Sequence, residues 1–178
     1  MDAKTLCLGV LSRSDCSGYQ IRKEFESGSF AQFQQAGFGS IYPALKRLTD
    51  EGLATCVEHQ QDSRPDKKVY RITPAGRQAL FEAVNEPPGD DRARSDFLFV
   101  LCFADLLPVS TVDSLLVERI AHHRRAAAML KKRAEKTERP TEDFVHRYSI
   151  AMHEAAIGFL ENSHHELLGT LIRRQVAE

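Results

Sequence analysis

Residues 39–52 read GSIYPALKRLTDEG, and this stretch decides the fold. On a helical wheel Ile41, Leu45 and Leu48 fall on one side, at i, i+4 and i+7, while Tyr42, Pro43, Lys46 and Arg47 fall on the other. The spacing predicts a short helix held by its apolar side. Ser40 reads as the N-cap, Pro43 as a first-turn residue that forfeits no helical hydrogen bond, and Gly52 as a left-handed stop. The outward face carries a ring, two cations and small groups near its N-terminus, a set suited to a DNA groove.

The flanking sequence fits around this helix. Residues 53–60 are strand-like, QDSRPD is a polar turn, and KKVYRIT (67–73) is a second strand rich in β-branched and aromatic residues. Thr73 then caps a helix with Pro74 at its first position and Ala79, Leu80 and Val84 on its apolar side. Upstream, residues 6–11 form an apolar run and GYQIRKEF (18–25) places Ile21 and Phe25 on one face. Helix, helix, helix, strand, strand, helix is the order of a winged helix-turn-helix. The expected fold is therefore mainly α with a small two-stranded β-wing, the winged domain occupying residues 1–88.

Three segments carry a family resemblance: LCLGVLSRSDCSGYQIRKEF, GSIYPALKRLTDEGL and RPDKKVYRITPAGRQAL. In order and spacing they resemble the PadR family of bacterial transcription regulators over residues 4–86. The resemblance implies a DNA-binding regulator, most simply a repressor; the N-terminus MDAKTLCLGVL shows no signal layout, so a cytoplasmic location is expected. The resemblance also implies a possible small-molecule effector, such as a phenolic acid or a hydrophobic toxic compound, sensed by the C-terminal helices. It supports a phosphate contact for the Gly18–Tyr19 pair. The linker SFAQFQQAGFG departs from the family pattern, and the chain has no Trp. A ligand pocket built around a tryptophan is thereby put in doubt; Gln34, Gln35 and Phe38 are expected to shape the approach to DNA instead.

Composition agrees with a globular domain pair: 178 residues, 42% apolar and 28% charged. No apolar run is long enough for a membrane helix, so no membrane partner is expected. The four cysteines lack CxxC spacing and read as free thiols, with Cys7, Cys56 and Cys102 in apolar, inert settings. Net charge is −1, and residues 1–88 hold eleven Lys and Arg against eleven Asp and Glu. Any positive potential must therefore be local. Lys46, Arg47, Arg64, Lys67 and Lys68 would supply it if helix and wing share a side, and binding would then be salt-sensitive.

Roles follow. Tyr42, Pro43 and Lys46 are expected at base edges or the groove wall, Ser40 and Arg47 at phosphate, Tyr19 and Gln20 at the flanking phosphate. Arg64, Lys67 and Lys68 would reach the adjacent minor groove from the wing. No glycine-rich phosphate loop, GxSxG elbow or HExxH motif is present, so no catalytic set, cofactor or metal site is expected. The rival reading is a winged-helix module that binds protein, which would leave Lys46, Lys67 and Lys68 as ordinary surface; a ligand-independent activator is the other alternative.

The second half, residues 89–178, opens after the break NEPPGDDRAR. Ser95 should cap the apolar segment SDFLFVLCFADLLP, which includes Phe97 and Leu101 and should be buried. A long helix follows with Leu116, Ile120, His123, Ala127 and Leu130 in a heptad-like seam. After TERPT comes a last helix with Phe144, Tyr148, Ala151, Ala155 and Phe159 on one stripe, extended by Leu167, Leu168, Leu171 and Ile172. The two long helices should pack antiparallel. Their apolar surface exceeds what one hairpin buries, which predicts a two-fold dimer through Phe97, Leu101, Leu116, Ile120, Leu130, Phe144, Tyr148, Phe159, Leu167 and Leu171. Such a dimer would read a double-stranded inverted-repeat operator.

Overall fold

The structure, a computed structural model, describes residues 1–28, 30–31, 38–61, 64–91 and 94–177, with the side chains of 38, 59–61, 64–67 and 175–177 outside the description. The chain divides into two compact units, Met1–Asp91 and Arg92–Glu178.

The first unit runs α1 (Ala3–Leu11), β1 (Cys16–Ser17), α2 (Gly18–Glu26), α3 (Phe38–Asp50), β2 (Ala54–Gln61), β3 (Arg64–Ile72) and α4 (Pro74–Asn85). The wing is three-stranded, in the order β1-β3-β2, where the sequence suggested two strands. The extra strand pairs Cys16 with Tyr70 and Ser17 with Val69. At two residues it is too short to show a period. The hairpin proper sets Ala54 opposite Ile72, Cys56 opposite Tyr70 and Glu58 opposite Lys68.

The core of this unit gathers Leu8, Leu11, Ile21, Phe25, Ile41, Leu45, Leu48 and Ile72. Ile41, Leu45 and Leu48 are at most 1% exposed, so each contributes about 1.5–3 kcal/mol of burial. They fix α3 against α1 and α2. Gly52 ends α3 at φ +70°, where a side chain would be strained. Thr73 caps α4, its Oγ1 accepting from the Gly76 N–H at 3.0 Å, with Pro74 first in the helix.

The second unit holds α5 (Asp96–Leu101), a 3₁₀ turn (Ala104–Leu106), α6 (Val109–Ala134) and α7 (Pro140–Ala177). Ser95 caps α5 through its Oγ to the Leu98 N–H. Within the single chain Phe97 of the apolar segment is buried, while Leu98, Phe99, Phe103 and Leu106 are largely exposed. Cys102 is likewise exposed, whereas Cys7 is buried and its thiol pushed up to about 12 by burial. Helices α6 and α7 form an antiparallel hairpin, joined by Asp113–His164, Arg124–Glu161 and Lys131–Glu154 pairs. Among the described residues no helix is long and apolar enough to cross a membrane.

The hairpin corrects part of the expected dimer surface. Leu116, Ile120, Leu130 and Leu171 are 1–7% exposed and buried inside the single chain, and Phe97 joins the same core. Leu101 and Leu167 pack on its edge. These residues hold one protomer together. The physical reason is that α7 has two apolar faces. Its inward face is His146, His153, Ile157, Leu160, His164, Leu167 and Leu171, where imidazoles sit among the aliphatics. Its outward stripe is Phe144, Tyr148, Ala151, Met152, Ala155 and Phe159, all exposed.

Candidate nucleic-acid interface

Helix α3 displays the predicted division. Ile41, Ala44, Leu45 and Leu48 point inward, and Tyr42, Pro43, Lys46 and Arg47 are exposed on the other side. The helix starts at Phe38, two residues before Ser40. Ser40 is therefore a first-turn residue and not the N-cap. Pro43 lies beyond the first turn and has no N–H to offer the Gly39 carbonyl, a loss that costs helix stability at an interior position. The FG dipeptide before Ser40, read as linker, supplies the added residues. A hollow of about 280 Å³ beside this helix is lined by Asp2, Lys4, Ser40, Pro43 and Arg47. Lys4 is held by Glu51, its Nζ 2.7 Å from Oε2.

Helix α2 contributes its N-terminal end. Ser17 caps it in a capping box: the Ser17 Oγ accepts from the Gln20 N–H at 3.3 Å, and Gln20 Oε1 accepts from the Ser17 N–H at 2.9 Å. The signal for this was the SGYQ spacing. Gln20 thus commits its oxygen to the cap and has its amide donors left for an outside group, which suits an anion. Tyr19, next to it, is 62% exposed.

The wing is less open than expected. Lys68 Nζ lies 2.9 Å from Glu58 Oε1 across the hairpin, and that carboxylate holds its pKa above the usual lysine range. More than half of each side chain is exposed, so the pair is worth little and a phosphate can compete for the ammonium. Arg64 and Lys67 lie in β3, and their side chains are outside the described residues; Gln34, Gln35 and the Phe38 side chain are outside them too.

The sequence showed nothing of the packing of two residues. Tyr70 is buried at the centre of the sheet, between Cys16 and Cys56 in register. Its phenol titrates above the usual range, first because of burial, then through the Cys56 thiol it bonds, with the Tyr42 phenol adding to the rise. Gly18 is the other. A β-carbon there would sit 2.7 Å from Tyr42 Cε1. No spacing in one sequence encodes that approach.

Three helices, a hairpin and a basic, ring-bearing third helix define a winged helix-turn-helix regulator. Residues 7–82 match the transcriptional regulator PadR-like family. It is 30% identical over 118 residues to the negative transcriptional regulator PadR of Bacillus subtilis, an alignment covering 66% of this chain and 64% of that protein. The chain thus spans a little under two thirds of that relative. The structure of smu.1604c from Streptococcus mutans superposes with a TM-score of 0.82 at 28% identity, covering 92% of this chain and 98% of the other. Bacillus subtilis PadR in complex with operator DNA gives 0.73 at 25% identity, covering 94% and 98%. The same protein with p-coumaric acid gives 0.66 at 24% identity, covering 94% of this chain and 97% of the other, a likeness of fold.

Proposed function

We propose that the chain is a cytoplasmic, homodimeric repressor that binds a double-stranded inverted-repeat operator through α3 and the wing and is released by a small-molecule effector. The carrying observation is the division of α3: three side chains at 0–1% exposure hold the helix, while Tyr42, Pro43, Lys46 and Arg47 stand out of it. A helix so anchored can present base-edge and phosphate contacts without repacking. The operator complex of the Bacillus relative supports the partner. The negative role of that relative supports repression.

The outward stripe of α7 supports the dimer. Phe144, Tyr148 and Phe159 are 59–69% exposed, and soluble chains seldom leave such a run uncovered. A two-fold axis would cover it with itself. The effector is supported by the p-coumaric acid complex of the Bacillus protein. It is also supported by an open hollow of about 450 Å³ in the second unit, walled by Phe97, Val100 and Leu115 beside Arg119, His122 and Arg125, with the carboxylates Asp96 and Glu118 in the same lining. Rings against apolar walls and a carboxylate against guanidinium would suit an aromatic acid.

Fluorescence anisotropy with DNA from upstream of the chain's own gene tests this. Specific binding should weaken as salt rises, since phosphate contacts release counterions. Lys46→Glu should abolish it. Equal binding of wild type and Lys46→Glu to operator and random DNA would overturn the reading.

A further inference from the structure

We propose that Gly18 is a positioning residue for DNA reading: its missing β-carbon leaves the space in which the Tyr42 ring lies, and so fixes that ring against the start of α2. The inference deepens the DNA-binding reading and rests on it for its consequence, though not for its geometry.

A β-carbon built on Gly18 would lie 2.7 Å from Tyr42 Cε1 and 3.3 Å from both Cδ1 and Cζ. All three atoms belong to one ring, so the ring occupies the volume a side chain would need. Gly18 is also buried, and it is the first residue of α2 with no left-handed φ to explain a glycine. Backbone freedom does not account for it, and helix propensity would favour alanine. The close approach of Tyr42 is the local reason for a bare α-carbon.

What would yield to a β-carbon is equally informative. At Gly76 the obstacle is backbone, the Leu53 carbonyl oxygen at 2.0 Å, and the fold itself would have to move. At Gly18 the obstacle is the ring of a residue that is 52% exposed. That ring can swing into solvent while α2 and α3 stay in place. Substitution at Gly18 should therefore leave the domain folded and displace Tyr42 alone.

The displaced pose matters because α2 and α3 then present one surface. Tyr19 and Gln20 follow Gly18 directly, and the Ser17–Gln20 capping box holds their backbone. Tyr42 on α3 is locked to the same point. The distance between the groove contact on α3 and the phosphate contacts on α2 is set by a contact that only glycine permits.

The test is a double-mutant cycle in the full chain with Gly18→Ala, Tyr42→Ala and both together, read by DNA anisotropy, circular dichroism and two-dimensional NMR. Gly18→Ala should fold as wild type and weaken operator binding about tenfold or more, the scale of a lost base contact. In the Tyr42→Ala background the same change should cost less than about twofold, because the pair acts as one unit. In the free protein a nuclear Overhauser contact between the Tyr42 ring and the Gly18 α-protons should be present, and Gly18→Ala should remove it. Loss of folding in Gly18→Ala, unchanged operator affinity, or an undiminished effect in the Tyr42→Ala background would overturn the proposal. If wild type binds no operator while the ring contact is seen, the functional reading fails and the ring placement stands. If wild type binds operator and the ring contact is absent, the positioning role fails alone.

Discussion

His123 and His153 face each other across the α6–α7 hairpin with their Nδ1 atoms 2.8 Å apart. Such a bond needs one N–H donor and one bare nitrogen. It survives until both rings carry a proton on Nδ1. The side chains beside the pair that act on it are basic, Arg119 on His123 and His122 on both rings. Both imidazoles titrate below the usual histidine range; burial is the main cause, followed by His153, His122 and Arg119 for His123 and by His122 for His153.

The sign follows from linkage. With folded-state pKa values lowered, the unfolded chain binds more protons below about pH 6.5, so stability rises with pH there. The stabilisation is present above the unfolded pKa and is lost as pH falls toward the folded one. Thermal melts should therefore show a falling melting temperature from pH 7 to pH 5. His123→Gln together with His153→Gln should flatten that slope. An unchanged slope would show that other groups set it.

Leu45 is fully buried beneath the outward face of α3. Leu45→Ala should cost about 2–5 kcal/mol in urea unfolding, the loss of transfer energy plus a cavity. Operator binding should fall with the folded fraction and recover when the assay is cooled or stabilised, since no contact to DNA is removed.

Gly76 is where α4 rests on the chain entering the wing. A β-carbon there meets the Leu53 carbonyl oxygen at 2.0 Å and Ile72 Cγ1 at 2.9 Å. Gly76→Ala should destabilise the domain by about 1–3 kcal/mol or more, as overpacking against backbone does. The same exchange at Gly9, where a β-carbon would meet no atom within 4 Å, should not. Chemical denaturation of the two variants side by side measures the contrast.

The outward stripe of α7 predicts the oligomer. Phe144→Lys with Phe159→Lys should convert a dimer to a monomer in sedimentation velocity. Helix content should persist, because both side chains are exposed within one chain. Operator affinity should drop with the dimer, since half-sites would then be bound singly. A dimer of unchanged mass would move the interface elsewhere.

Much of the first unit was legible in sequence because its elements obey single rules. Ile41, Leu45 and Leu48 share a helical face, Thr73–Pro74 starts a helix, and Gly52 ends one. The unread parts depend on partners distant in sequence or on competing signals. β1 exists because Tyr70 and Val69 offer an edge, not because CS is a strand motif. Ser40 lost its cap role because α3 gains residues through Phe38–Gly39. In α7 the stripe Phe144–Tyr148–Phe159 gave the stronger apolar signal, yet it is the face turned away from α6; the packed face includes His146, His153 and His164, residues a hydrophobicity reading discounts. For the interface, exposure of Tyr42, Lys46 and Arg47 followed from the wheel, whereas the engagement of Lys68 by Glu58 required the strand register.

Helix α7 is 38 residues long in one uninterrupted piece, which at 1.5 Å per residue makes a rod of about 57 Å. A rod is also a lever. Tilting it by about 5° at one end carries the other by about 5 Å, close to the rise of a whole helical turn. Small adjustments where its flank meets another molecule are therefore magnified mechanically along its length, without any joint in between.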